Sequence, residues 1–71
     1  MNFLEHYIVE VYLVRELDDK EKQEFENEKL NPNDWVYVEW LSDCYGSKEV
    51  FKDYELKSRW EKGIIDGYLL R

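Results

Sequence analysis

Two segments of this 71-residue chain have the composition of β-strands and are apolar on both faces. The first, HYIVEVYLVRE at residues 6–16, has one wholly apolar face, and Glu10 breaks the apolar pattern in the middle of the other. The second, WVYVEWLS at residues 35–42, is apolar on both faces apart from Glu39. Strands that are apolar on both faces usually lie inside a sheet rather than at its border. We therefore expect both segments to be central strands.

The residues that follow predict a hairpin and a third strand. The short polar interval SDCYGS at residues 42–47 separates two strand-like runs, and Gly46 is free to adopt positive φ in the turn. The third strand is predicted from Lys48 to about Asp53. The Asp53 carboxylate is expected to cap the helix that comes next, because it can accept from free amides of the first turn.

This predicted helix has one apolar face and a defined end. Leu56, Trp60 and Ile64 recur at intervals of four residues, which is one helical face. Gly67 occupies the position where a left-handed residue ends a helix, and GYLLR beyond it predicts a short last strand. Gly63, inside the helix, costs roughly 1 kcal/mol relative to Ala.

An acidic segment connects the two central strands. Residues 16–28 carry seven acids and two lysines, a net charge of −5 out of −7 for the whole chain. The lysines follow acids at a spacing of four residues, which stabilises helices. Phe25 alone is not expected to anchor a helix on a core, and Pro32 ends whatever precedes it. We expect either an exposed helix of low stability or a mobile loop.

Together these elements predict a small α+β domain. It contains a three- or four-stranded, mostly antiparallel sheet, one C-terminal helix, and the acidic connection after the first strand. The helix is expected to pack on one face of the sheet through Leu56, Trp60 and Ile64. The sheet residues that it is expected to contact are Val9, Val11, Val36, Val38 and Trp40. The opposite face is expected to be uncovered and to carry Ile8, Tyr12, Trp35, Tyr37 and Leu41.

Length and composition predict a single domain over residues 1–71 in a reducing compartment. Cys44 is the only cysteine, so no internal disulfide can form, and no Cys and His cluster indicates zinc. The amino end lacks the basic start and cleavage site of a signal peptide, and no run approaches the roughly 18 apolar residues of a spanning helix. We expect a soluble cytoplasmic protein that does not bind membranes.

Three short motifs lie between residues 35 and 70: the turn Asp43-Cys44-Tyr45-Gly46, the pair Trp60-Glu61 and the pair Gly67-Tyr68. In these motifs the chain resembles small uncharacterised proteins encoded by bacteriophages of Gram-positive hosts. The resemblance implies a phage or prophage origin, and therefore the cytoplasm of the host cell. It implies no reaction and no site residue.

The residue types that carry catalysis or hold cofactors do not form a recognisable pattern. His6 and Cys44 are the only candidates for a thiol nucleophile and its base, and the sequence favours a turn cysteine and a surface histidine at a strand edge over a catalytic pair. The acidic segment lacks the alternating ligands and central Gly of a calcium loop. We expect no enzyme activity, no cofactor and no metal.

Two surfaces are candidates for partner binding. The first is the acidic segment, which is either a solvated connection or a docking surface for a basic partner, since carboxylates on a surface can replace phosphates. Its acids are Glu16, Asp18, Asp19, Glu21, Glu24, Glu26 and Glu28. The second surface is the aromatic sheet face with Trp35 and Tyr37, because Trp and Tyr are enriched at binding hot spots.

These surfaces lead to two hypotheses about function. In the first, the protein is an inhibitor or modulator that occupies the basic surface of a host nucleic-acid-handling protein, such as a defence nuclease or polymerase, as a nucleic-acid mimic. In the second, it is a structural or assembly protein that self-associates, as a homodimer for example, through the aromatic face. Direct binding of nucleic acid is not expected, because the acidic surface repels a phosphate backbone.

Overall fold

Residues 3–71 are described by the structure, a computed structural model, and they build a four-stranded antiparallel sheet with two helices. The elements in chain order are β1 (Glu5–Glu16), α1 (Asp19–Asn27), a 3-10 turn (Pro32–Asp34), β2 (Trp35–Cys44), β3 (Ser47–Leu56), α2 (Lys57–Asp66) and β4 (Tyr68–Leu70). The strand order is β3-β2-β1-β4. The predicted small α+β fold on an antiparallel sheet is confirmed. Neither of the helices in this part of the chain has the length and apolar character needed to cross a membrane.

The hairpin between β2 and β3 is closed by a two-residue turn. Cys44 lies opposite Ser47, and the residues between them, Tyr45 and Gly46, have φ angles of 52° and 89°. Positive φ at both central positions is the type I′ arrangement, whose twist matches that of the flanking strands. The Asp43 carboxylate accepts the Gly46 N–H at 2.7 Å. The predicted hairpin with Gly46 at positive φ is confirmed.

Strand β3 is longer than predicted, and α2 therefore begins later. Pairing continues without interruption from Cys44↔Ser47 to Trp35↔Leu56, because β2 offers partners along its whole length. Asp53 lies inside β3, where it pairs with Val38, so the prediction that it caps the helix is wrong. The residue before α2 is Leu56, whose side chain makes no capping hydrogen bond.

The core lies between α2 and one face of the sheet, which we call the core face. Its buried side chains are Val36, Val38, Trp40, Trp60 and Leu69, with Ile8 and Phe51 packed against them. Trp40 is completely buried, and its ring centroid lies 6.0 Å from that of Trp60. Val36, Val38, Trp40 and Trp60 were predicted as core residues, and this is confirmed.

The other predicted core residues are exposed. Because α2 begins at Lys57, its inward positions are Trp60 and Gly63, and Leu56 and Ile64 remain largely in solvent. Val9 and Val11 of β1 are also exposed. The prediction for these four side chains is wrong, because α2 begins only after Leu56 and β4 is too short to reach Val9 and Val11.

Strand β1 contains two β-bulges. Its pairing with β2 shifts between Ile8 and Glu10 and again between Val11 and Leu13, so one residue of β1 is left over at each shift. Each extra residue reverses which face the following side chains occupy. The sequence pattern predicted that alternate residues of β1 share one face, and the bulges make that prediction wrong.

The end of the chain returns to the sheet through Gly67. This residue has φ 88°, and its N–H donates to the Gly63 carbonyl, so the predicted left-handed end of the helix is confirmed. The short strand β4 then pairs with the beginning of β1, with His6 opposite Leu69. Gly63 brings α2 against β4: a Cβ placed on it would lie 2.5 Å from Leu69 Cδ2 and 3.3 Å from the Tyr68 carbonyl oxygen.

This close approach predicts that Gly63→Ala destabilises the protein although Ala is the better helix former. The gain in helix propensity is about 1 kcal/mol. The new methyl group must displace Leu69, which is buried in the core, and such overpacking costs about 1–3 kcal/mol. We expect a net loss in the free energy of unfolding, measured by urea denaturation. Ser58→Ala, at an exposed site of the same helix, is the control and should change it by less than about 0.5 kcal/mol. A Gly63→Ala protein more stable than the parent would contradict the contact with Leu69.

Candidate partner-binding surface

Helix α1 is stabilised at both ends by its own residues. At the start, the Asp18 carboxylate accepts the Glu21 N–H at 2.8 Å, and the Asp18 N–H donates to Glu21 Oε1 at 2.9 Å. This reciprocal capping box satisfies two amides that have no partner inside the helix. At the other end Lys29 has φ 61°, and the Leu30 N–H donates to the Phe25 carbonyl, which closes the last turn. The acidic segment is therefore a capped helix.

The Glu21 side chain also docks this helix onto two strands. Arg15 of β1 donates from Nη1 to Oε1 at 2.6 Å and from Nη2 to Oε2 at 3.2 Å. The Tyr54 hydroxyl of β3 donates to Oε2 of the same carboxylate. Paired guanidinium bonds to a carboxylate are strong and directional. One buried carboxylate thus connects α1 to β1 and β3, the two strands on either side of β2.

These contacts shift the pKa values of the groups involved. The Arg15 hydrogen bond, opposed by burial and assisted by the Tyr54 and Asp18 bonds, lowers the pKa of Glu21 from 4.5 to about 2. The hydrogen bond to Glu21, followed by burial, raises the pKa of Tyr54 from 10.0 to about 12. Both shifts favour the pair of an ionised carboxylate and a protonated hydroxyl.

Aromatic contacts complete the docking of α1. The Phe25 ring lies 5.4 Å from Trp35 and 5.1 Å from Tyr54, both in edge-on geometry. Tyr37 lies 5.5 Å from Tyr54, and the Arg15 guanidinium lies 4.5 Å above the Tyr37 ring. The prediction that this face is uncovered is therefore wrong, because Phe25 docks the helix together with Glu21 and Leu17. Trp35 and Tyr37 are half-buried beneath the helix.

A signal for this docking is present in the sequence. Leu17, Glu21 and Phe25 stand at intervals of four residues, so they project from one side of a helical turn and its entry. Leu17 is buried at 4% exposure, and Glu21 is buried at 9%. Sequence reasoning missed the pattern because a glutamate occupies its central position.

The remaining acids of the segment lie on the surface. Glu16 pairs with Lys57 at 3.1 Å, and Asp18 is committed to the helix cap. Asp19, Glu24, Glu26 and Glu28 are exposed and make no ion pair or side-chain hydrogen bond within residues 3–71. We refer to these four residues as the free acids of α1.

Three of the free acids oppose the stability of the helix that carries them. Glu24, Glu26 and Glu28 occupy the second half of α1 and its C-cap, and the last turn contains no basic residue. The carboxyl end of a helix has a partial negative charge, so carboxylates there are unfavourable and lysines are favourable. The positions of these three acids are the reverse of what helix stability prefers.

The polar side chains outside α1 that were candidates for a site either bond to neighbouring residues or lie apart from one another. A groove of about 300 Å³ between α2 and β4 is lined by Arg59 and Lys62, but Arg59 donates to the Leu70 carbonyl and Lys62 donates to Asp66 at 2.8 Å. His6 packs edge-on against Phe51 and has no hydrogen bond to Cys44. No group of three or more metal-ligating side chains occurs among residues 3–71.

The pKa of Glu21 predicts a specific contribution to acid unfolding. Because the folded pKa of about 2 lies below the ordinary value of 4.5, this carboxylate stabilises the fold above pH 4.5 and loses that effect as the pH falls towards 2. Glu21→Gln should lower the free energy of unfolding by about 1–3 kcal/mol at neutral pH and reduce its decline between these pH values. Urea denaturation at several pH values measures both effects. The control Glu61→Gln, at an exposed site of α2, should keep the acid dependence of the parent. An unchanged acid decline in Glu21→Gln would contradict the assigned role.

Tyr54 predicts the corresponding effect at alkaline pH. Its folded pKa of about 12 exceeds the ordinary value of 10.0, so the bond to Glu21 stabilises the fold below pH 10 and is lost as the pH rises towards 12. Tyr54→Phe should cost about 1 kcal/mol at neutral pH and weaken the alkaline decline in stability. Tyr45→Phe, in the exposed turn, should leave that decline unchanged. Equal alkaline profiles for the two variants would show that the Tyr54 hydroxyl does not stabilise α1.

Comparisons of the chain with protein-family models, curated proteins and solved structures find no match. The function must therefore be inferred from the geometry and charge of the surface described above.

Proposed function

We propose that this protein is a small acidic binding module, encoded by a phage, that occupies the basic surface of a host protein which handles nucleic acid. The free acids of α1, together with Glu16 and Asp18 at its entry, provide the contact surface. In this proposal the helix competes with nucleic acid for a basic groove of the host protein. A defence nuclease or a polymerase has a groove of this kind. The resemblance to small phage proteins supports the proposed origin.

The observation that carries the proposal is the position of Glu24, Glu26 and Glu28 at the end of α1 where carboxylates are unfavourable. A solvated connection needs charge for solubility, but lysines at these sites would provide charge and stabilise the helix as well. Local choices that oppose stability are expected at functional sites. The capped and docked helix also holds its carboxylates on a rigid support, which reduces the entropy lost on binding.

The charge distribution over the chain agrees with this assignment. Residues 16–28 have a net charge of −5, whereas residues 47–71 carry six bases and five acids and come to +1. A field concentrated on one segment guides a basic partner to that segment, since complementary charge mainly accelerates association. Glu21 is the exception among the predicted contact residues, because its carboxylate is buried and bonded to Arg15 and Tyr54.

The second hypothesis, assembly through the aromatic sheet face, requires an exposed aromatic surface, and α1 covers part of that face. Trp35 and Tyr37 are half-buried, and Phe25 of α1 lies against Trp35. A partner that used these rings fully would have to displace the helix, which is held by the Glu21 bonds as well as by Phe25. We therefore do not propose this route.

The proposal predicts that a triple charge reversal weakens binding without weakening the fold. The variant changes Glu24, Glu26 and Glu28 to Lys, which should maintain or raise the melting temperature because lysine is favourable at a helix C-terminus. The partner is first captured from a lysate of a Gram-positive bacterium, with and without competing duplex DNA. Its association rate with parent and variant is then measured at two salt concentrations. We expect the variant to bind at least about tenfold more slowly, and the parent to weaken as salt rises, because charges are screened within about 8 Å at physiological ionic strength.

A matched control separates the position of charge from its amount. Reversing Asp34, Glu49 and Glu61, three exposed acids outside α1, changes the net charge by the same amount. This control should retain most of the association rate of the parent. Equal losses in the two triple variants, or binding that ignores both salt and charge reversal, would contradict the proposal.

A further inference from the structure

More than half of β1 forms an open border of the sheet. Among residues 3–71, β4 pairs only with Glu5, His6 and Tyr7, and the Ile8 N–H donates to the Gly67 carbonyl. Residues 9–16 lie beside β2 on one side, where all but the bulge residues Val9 and Tyr12 have a partner, and beside no strand on the other. We call residues 9–16 the open β1 edge. The sequence prediction that this strand is central holds only for its first residues.

The open β1 edge is apolar and exposed. Val9 and Tyr12 are 52% and 51% exposed, Val14 is 44% exposed, and Val11 and Leu13 are each 39% exposed. Between Val9 and Val14 the only charge is Glu10, and the other two charges of the edge, Arg15 and Glu16, lie at its end. A long exposed apolar edge presents unpaired backbone groups together with side chains that gain from burial, which is the composition of a strand-pairing site.

The other border of the sheet shows the protection that this edge lacks. Strand β3 has ten residues, and half of them are charged: Lys48, Glu49, Lys52, Asp53 and Glu55. Charged side chains along an edge strand discourage pairing with another chain. Two edges of one sheet therefore differ in the property that controls association.

We propose that the open β1 edge pairs antiparallel with the same edge of a second copy of this chain, forming a two-fold symmetric homodimer. The edge is bounded by β4 at one end and by the turn into α1 at the other. A symmetric overlap of its full length places the axis between Tyr12 and Leu13. In this overlap the two edges pair along their whole length without a collision with β4, and the two sheets become one continuous sheet.

The bulge between Val11 and Leu13 makes this register consistent on the core face. The register places Val11 opposite Val14 of the second copy. Within one copy these residues pair with Trp40 and Val38, which lie on the core face, so both valines point to that face. Residues three apart on a regular strand point to opposite faces, and the extra residue of the bulge removes that conflict.

Charge complementarity selects the same register on the outer face. Glu10 and Arg15 pair within the sheet with Leu41 and Tyr37, which share the face opposite α2. The symmetric overlap places Glu10 of each copy opposite Arg15 of the other, at both ends of the interface. Glu10 has no ion pair among the described residues, and the Arg15 side chain remains 39% exposed beside its bonds to Glu21. Opposite charges in direct cross-strand positions stabilise a pair of strands.

The acidic helices do not oppose this arrangement. Each copy carries a net charge of −7, but in an antiparallel pair the two α1 helices begin at opposite ends of the interface. Seven residues of strand separate the two Glu16 positions, which is about 24 Å at about 3.4 Å per residue. This distance is about three times the screening length of about 8 Å at physiological ionic strength.

Sedimentation of the full chain over a roughly hundredfold range of concentration tests the dimer. The parent should shift from monomer to dimer within that range. Val14→Lys should raise the dissociation constant at least about tenfold, because the symmetric pairing introduces two lysines into the interface. Val50→Lys, at a residue of β3 that is 47% exposed, is the matched control and should dimerise like the parent. Melting curves establish that both variants are folded.

Disulfide cross-linking tests the register separately. Val11→Cys and Val14→Cys are prepared in a Cys44→Ser background. An oxidised mixture of the two proteins should form a cross-linked dimer, whereas either protein alone should not, because its two cysteines would be separated by more than the roughly 7 Å that a disulfide allows between Cα atoms.

A parent protein that is monomeric at every concentration overturns the proposal. The open β1 edge would then be a candidate site for pairing with a strand of another protein. Loss of the dimer in Val50→Lys but not in Val14→Lys overturns it as well, as does equal cross-linking of the single-cysteine proteins alone and in mixture. Because this interface does not include the free acids of α1, these outcomes are independent of the proposed binding of a basic host protein.

Discussion

The Glu21 carboxylate is the interaction on which the arrangement of this small domain depends. It accepts hydrogen bonds from Arg15, Tyr54 and the Asp18 backbone, so it joins two strands of the sheet to the start of α1. A helix of nine residues is too short to be stable alone in water. Its capping box and its docking use the same glutamate, so the helix is completed and attached by one side chain. Phe25 then covers Trp35 and Tyr54, which would otherwise be open to solvent.

Two different demands are visible along α1. Its first turn and inner side serve the fold, with the Asp18 cap, the Glu21 bonds and the Phe25 contacts. Its second half carries Glu24, Glu26 and Glu28 where the helix dipole disfavours them. Docking through Glu21 and Phe25 can tolerate the unfavourable charge of these three acids. This division allows a short helix to serve as a rigid carrier of carboxylates.

The two bulges of β1 have a comparable effect on the sheet. They shift the faces of a strand that would otherwise place Tyr7, Val9, Val11 and Leu13 on one side. Val11 consequently shares the core face with Val14, and the two extra residues, Val9 and Tyr12, are 52% and 51% exposed. Because β4 is only three residues long, nothing in the described chain pairs with residues 9–16 on that side. The core is correspondingly one-sided, centred on Trp40 and Trp60.

Local sequence was sufficient wherever a few neighbouring residues determine the backbone. The alternation of β2, the turn at Gly46 and the left-handed end of α2 at Gly67 were all predictable, because periodicity and positive φ are properties of short segments. Tertiary structure alone decided the rest. Pairing with β2 carried β3 past Asp53, the short β4 left Val9 and Val11 exposed on an open edge, and contacts with β1 and β3 made Glu21 a buried anchor rather than a surface acid. These outcomes depend on residues far apart in the chain, and a charge pattern cannot distinguish a carboxylate that meets an arginine from one that meets water.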